Sequence, residues 1–182
     1  MPETFIRNAN LADYPGIAAV AVATGQDEEW GGADPAYLDY LMDCGRVVVA
    51  TSAGAVTGFG ATRRIGDGAA AVSVLCDLFV HPARHGRGAG RAMLAELWRD
   101  EPRRMTFSSL HAHALPLYTR FGLDAWWPLL YMGGEVARLA GPPGLAVRPC
   151  TPEQAAAAGR RWTGSDRLAD HRAWAARPHG QP

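Results

Sequence analysis

Asp77-Leu78-Phe79-Val80-His81-Pro82-Ala83-Arg84-His85-Gly86-Arg87-Gly88-Ala89-Gly90-Arg91-Ala92-Met93-Leu94 is the stretch that decides the fold. An apolar run ends at Val80. Glycines follow at 86, 88 and 90, and the chain then enters a helical pattern with Met93, Leu94, Leu97 and Trp98 on one face. Glycine permits positive φ and a close approach of backbone to ligand. The amides of such a loop and of the first helical turn converge on one spot, where the helix dipole favours negative charge. Arg84, Arg87 and Arg91 add cations. The pattern predicts a strand, a diphosphate-binding loop and a helix. GxGxxG does not occur, and a chain without lysine cannot hold a Walker loop.

Upstream, Thr4 to Arg7 reads as a strand, and Asn10 caps a helix to about Thr24. Gln26 to Gly32 is a loop, and Asp34-Pro35 opens a helix to about Cys44. Strands are expected at Arg46 to Thr51, Val56 to Arg63 and Ala70 to Val80, the last apolar enough for a central place. Downstream, Met105 to Leu110 is a strand, Ala114 to Phe121 a short helix ended by Gly122, and Trp126 to Met132 a last strand. The early meander is antiparallel, whereas strand–loop–helix–strand requires a parallel pair with a right-handed crossover. The fold class is therefore α/β, a mixed sheet with helices on its faces.

Ala140-Gly141-Pro142-Pro143-Gly144 reads as a linker, dividing a domain over 1–140 from an extension over 141–182. In the extension, Leu145 to Arg148 is read as a strand. Thr151-Pro152-Glu153-Gln154 is a capping box opening the alanine-rich helix 155–162, and the end from Arg177 frays. Ile6-Arg7 with its capped helix, ending in Thr24-Gly25, is echoed by Val147-Arg148 with a capped helix ending in Thr163-Gly164. The extension thus resembles the start of a second copy of the domain, or equally two unrelated pieces. Its helix, Leu168 and Trp174 are expected to bury against the first domain or a second subunit, so a homodimer built on the extension is one expectation.

The 182 residues are 48% hydrophobic, enough for a core, and the formal net charge is zero, which argues against nucleic acid or an anionic membrane as partner. All eighteen cationic residues are arginine, so Schiff-base chemistry is excluded. Three cysteines without CxxC spacing suit a reducing compartment. With no signal-peptide pattern and no long uncharged apolar run, the expected location is cytoplasmic.

His85-Gly86-Arg87-Gly88-Ala89-Gly90 resembles the acetyl-CoA loop of the GNAT superfamily of N-acetyltransferases, Gln/Arg-x-x-Gly-x-Gly/Ala, with histidine in the leading place. Ala114-Leu115-Pro116-Leu117-Tyr118-Thr119-Arg120-Phe121-Gly122-Leu123 is similar to that family's A-x-x-x-Y-x-x-x-G-F stretch. The resemblance spans about residues 4 to 135. It implies a GNAT-like fold with two central strands splayed around the acyl thioester, acetyl-CoA as acyl donor and a primary amine on a small molecule as acceptor. The cofactor contacts it implies are Phe79, Val80, Arg84, His85, Gly86, Arg87, Gly88, Ala89, Gly90, Arg91 and His111, the last standing where the family has asparagine. Tyr118 matches the tyrosine that protonates the leaving sulfur. Asp77, an ionisable group in an apolar strand, serves as base or holds the substrate ammonium; a structural, hydrogen-bonding aspartate is the alternative. Glu28, Glu29 and Trp30, in the loop that borders the acceptor site in this family, suit a cationic amine. His111-Ala112-His113 lacks the further ligands a metal needs, and no metal is expected. The two histidine departures keep a non-catalytic module that binds acyl-CoA or a partner chain as the alternative function.

Overall fold

The computed structural model describes residues 3–26, 36–109, 111–126, 128–129, 144 and 148–176. Strand β1 is Phe5–Asn8. A 3₁₀ turn, Leu11–Asp13, leads into α1, Tyr14–Ala23. Asn10 caps the turn by accepting from the Ala12 amide at 2.9 Å, while the Asp13 carboxylate accepts from the Asn10 amide and is held by Arg7. Helix α2 is Ala36–Cys44, followed by β2, Gly45–Ser52, β3, Ala55–Ile65, and β4, Val72–Val80. Helix α3, Ala89–Leu97, crosses to β5, Arg104–Thr106, and α4 is Ala114–Arg120. The expected Asp34-Pro35 cap lies outside the described residues.

The described strands form one sheet in the order β1-β2-β3-β4-β5. The first three pairings are antiparallel and β4 pairs β5 in parallel, the mixed sheet the sequence predicts. The valine run of β2 explains why the sheet is covered on both sides. Pleating sends Val47 and Val49 to one face and Val48 and Ala50 to the other. The first pair packs with Ile17 and Val20 of α1 and Leu38 and Leu41 of α2. The second packs with Met93, Leu94 and Leu97 of α3 and with Trp98. Each fully buried large side chain contributes about 1.5–3 kcal/mol by leaving water. Gly58 and Gly60 let α3 lie close to the sheet, because a Cβ at either would stand 3.0 Å from Met93 or Leu97.

Three expectations are corrected. Strand β5 stops at Thr106; Phe107, Ser108 and Ser109 are not in the sheet, and Leu110 lies outside the described residues. Trp126, Pro128 and Leu129, read as part of a last strand, carry no strand pairing, and Trp127 with 130–132 lies outside the described residues. Arg148 is likewise not in a strand, while 145–147 lie outside them.

In the extension, Thr151 and Gln154 make the reciprocal capping box, opening α5, Pro152–Thr163, which Gly164 ends with φ 71°. Helix α6, Leu168–Ala175, follows. The apolar anchors expected for this arm are not its principal ones. Leu168 is only half-buried and Trp174 keeps 49% of its surface exposed. The most deeply buried side chain of α6 is Asp170, at 2% exposure. Its two carboxylate oxygens accept from Arg63 Nη2 on β3 at 2.8 and 2.7 Å, and it also accepts from Tyr40 Oη at 2.7 Å and from Arg167 Nε at 2.6 Å. Arg63, largely covered with its side chain 14% exposed, is thus the anchor for the arm.

Candidate active site

The pairing of β4 with β5 covers only Ser73 to Leu75 against Arg104 to Thr106. Immediately beyond it, the pairing of β4 with β3 slips: Thr62 lies opposite Leu75 and Ala61 opposite Asp77, so Cys76 is an extra residue, a bulge. A bulge bends its strand, and from this point β4 and β5 no longer pair. A cleft of 1730 Å³ includes in its lining Tyr37, Cys76 and Asp77 from one side and Thr106, Phe107 and Tyr118 from the other.

Asp77 is 8% exposed. Its Oδ2 accepts from Tyr37 Oη of α2 at 3.1 Å. Tyr118 projects from α4, half-buried against the core around Trp98. Burial raises its phenol pKa above the ordinary value, a shift that Thr106 offsets in part, so the phenol keeps its proton at neutral pH. Asp77 and Tyr118 thus border one cleft, a carboxylate able to receive a proton and a phenol able to give one. Cys76 borders it too. The residue reaches solvent, yet partial burial of its thiol and the Asp77 carboxylate beside it push the thiol up to about 12, so it stays neutral.

At the end of β4, the His81 amide donates to Thr57 O at 2.9 Å. Antiparallel alternation then points the backbone groups of Phe79, opposite Phe59, toward β3. Those of Leu78 and Val80 face the gap. Of the two backbone contacts expected, Val80 therefore turns its amide to the gap, its carbonyl being taken by the His85 ring, whereas Phe79 turns its amide and carbonyl to β3 and its ring to the core beside Phe59. Leu78, which the sequence reading passed over, is the one whose backbone groups turn to the gap instead; strand alternation would have found it.

Past Val80, Pro82–Arg84 form a 3₁₀ turn. Gly86 and Gly88 have φ 74° and 81°, the left-handed region, and Gly88 caps α3. A Cβ at either would meet nothing within 4 Å, so the loop's outer side is open. The first amide bonded into the α3 ladder is that of Ala92, which donates to Gly88 O at 2.9 Å. Among the described residues, no backbone acceptor takes the amides of 86 to 91. Arg87 and Arg91 are exposed, Arg84 is half-buried, and no carboxylate of the described residues pairs with any of them. His85 folds back so that Nε2 lies 2.7 Å from Val80 O. A carbonyl only accepts, so this nitrogen carries the proton and the ring braces the loop against the strand. The His85, His113 and His111 rings follow one another with centroids 6.2 and 5.4 Å apart, which brings His111 to the loop through His113. Glu28, Glu29 and Trp30 lie outside the described residues.

A mixed sheet opened at a bulge, with an uncommitted amide loop at the head of α3, is the arrangement expected of a GNAT-like fold. Residues 43–122 match the model of the acetyltransferase (GNAT) domain. Among solved structures, an acetyltransferase from Trypanosoma brucei is 17% identical with a TM-score of 0.59, over 72% of this chain and 99% of that one. The aminoglycoside N-acetyltransferase AAC(6')-Iy in complex with CoA is 15% identical with a TM-score of 0.59, over 74% and 96%. A predicted acetyltransferase with acetyl-CoA from Clostridium acetobutylicum is 14% identical with a TM-score of 0.55, over 72% and 96%. At these identities the likeness is one of fold. No curated protein matches the chain. Among the described residues, no helix is long and apolar enough to cross a membrane.

Proposed function

We propose that this acetyltransferase moves an acetyl group from acetyl-CoA to a primary amine on a small molecule, by direct attack while both are bound. The observation that carries the reading is the set of amides from Gly86 to Arg91 that no described backbone group accepts, opening beside a cleft that holds both an acid and a base. Bound acetyl-CoA supplies the acetyl thioester. The amides, with Arg84, Arg87 and Arg91, grip its phosphates. The gap-facing backbone of Leu78 and the Val80 amide receive the arm that leads from the phosphates to the sulfur, and His111 supports the loop from α4's side. Asp77, directly or through a water, takes a proton from the amine as nitrogen bonds to the acetyl carbon. Tyr118 gives its proton to the sulfur as the carbon–sulfur bond breaks. Glu28, Glu29 and Trp30 are proposed to meet the acceptor's positive charge.

Calorimetry with acetyl-CoA, followed by CoA release over a panel of amines, tests the reading. Tyr118→Phe is expected to keep acetyl-CoA affinity and lower turnover by about 10²-fold or more. Unchanged turnover removes the acid role from Tyr118. Binding without turnover on any amine favours the non-catalytic module instead.

A further inference from the structure

Helix α2 carries tyrosines three residues apart, which puts them on one face. Their rings lie 6.4 Å apart at 22°. The two hydroxyls point to different parts of the molecule. Tyr37 Oη donates to Asp77 at 3.1 Å, inside the cleft. Tyr40 Oη donates to Asp170 of α6 at 2.7 Å and accepts from Arg63 Nη1 at 2.7 Å. Asp170 is 2% exposed and is also held by Arg63 and Arg167. The helix between these two bonds is pinned to the sheet by Leu38 and Leu41, both fully buried.

We propose that α2 couples the C-terminal arm to the cleft: Asp170 fixes Tyr40, the shared helix fixes Tyr37, and Tyr37 sets the place and hydrogen bonding of Asp77. Tyr37 is then a positioning residue, and the arm formed by α5 and α6 is a support of the site. This rests on the reading of Asp77 given above. It adds a role for α5 and α6 that a detachable appendage would not have. Among the described residues, the titratable groups near Asp77 include Tyr37 of α2 and Cys76 of its own strand, with Arg63 and Cys44 acting on Cys76; Tyr118 of α4 borders the cleft from the other side.

The test uses the full chain with ¹³Cγ-labelled aspartate, the Asp77 resonance being assigned by its loss in Asp77→Asn. Tyr37→Phe removes a donor to the carboxylate and keeps the ring. The Asp77 titration should then move to higher pH by about one unit, the scale of one hydrogen bond to a charged group. Tyr40→Phe breaks the link to the arm, together with the bond from Arg63, and should move Asp77 in the same direction by less. Tyr37→Phe combined with Tyr40→Phe should move it no further than Tyr37→Phe alone. Asp170→Asn, which preserves side-chain volume, repeats the test from the arm. An Asp77 titration left in place by Tyr37→Phe overturns the positioning role, and one left in place by both Tyr40→Phe and Asp170→Asn overturns the coupling. Acetyl-CoA calorimetry on the same proteins reads the acyltransferase proposal separately. If the unaltered chain does not bind acetyl-CoA, that proposal fails, and the coupling still stands or falls on the titration.

Discussion

Asp170→Ala should loosen the C-terminal arm and lower the stability of the whole chain. The substitution removes an acceptor of four hydrogen bonds from three donors and leaves the Arg63 guanidinium, its side chain 14% exposed, without its carboxylate. Arg63 Nε is already buried without a partner among the described residues. Breaking a fully buried pair from one side costs about 3–5 kcal/mol. Here Arg63 keeps Tyr40 and some solvent, and Arg167 is 36% exposed, so the cost falls to about 2–3 kcal/mol. For a chain of this size that lowers Tm by about 4–12 °C. The pH dependence supplies a second reading. Burial alone would raise the Asp170 pKa; Arg63, Tyr40 and Arg167 outweigh it and hold the carboxyl below its ordinary value. A carboxylate depressed in the folded state stabilises above its unfolded pKa, about 3.9, and that contribution disappears as pH falls through the folded value. The Asp170 contribution is therefore constant from pH 6 to 9 and lost in acid, so the gap in Tm between the unaltered chain and Asp170→Ala should narrow below about pH 4. Calorimetric melts across pH, with hydrogen exchange on 152–175, measure both. Arg172→Ala, which breaks only the exposed pair with Glu153, is the control and should leave Tm unchanged. Equal Tm values for Asp170→Ala and the control, with equal protection of α6, would refute the burial argument.

Gly88→Ala places a side chain at φ 81° where α3 begins, which costs about 1–2 kcal/mol and displaces the loop amides. Acetyl-CoA affinity should fall in calorimetry, whereas Gly25→Ala, at φ 74° beyond the end of α1, should show the strain in Tm and not in affinity. Cys76→Ser should leave CoA release unchanged, because a thiol held up to about 12 is not a thiolate at neutral pH; a loss of turnover would assign the sulfur a chemical role.

The glycine loop was legible because its signal is local: left-handed backbone at 86 and 88 and the helix after them follow from neighbours in the chain. The same holds for the caps at Asn10 and Thr151, each closed within three residues. The double-faced sheet was visible in Val47-Val48-Val49. The anchoring of the arm was not. An aspartate on a short alanine-containing helix reads as solvated, and its partners Arg63 and Tyr40 stand 107 and 130 residues away. Tyr37 was missed for the same reason, its bond to Asp77 spanning 40 residues. The reading of β5 overran because apolar Phe107 continues the strand composition, although the ladder ends one residue earlier, where its partner strand bends away.

Insertion of a single residue at Cys76 also settles which way every later side chain of β4 turns. Leu75 packs in the layer of Met93 and Leu97, and in an unbroken pleat the carboxylate two residues on would enter that same greasy layer, at a cost of several kcal/mol. The inserted step reverses the alternation. Asp77 emerges on the opposite side, toward the tyrosines of α2, and Leu78 and Val80 fall back among the aliphatic residues. One irregularity therefore parts the strands and rotates the proton acceptor into the opening it has made; a chain lacking residue 76 would lose both together.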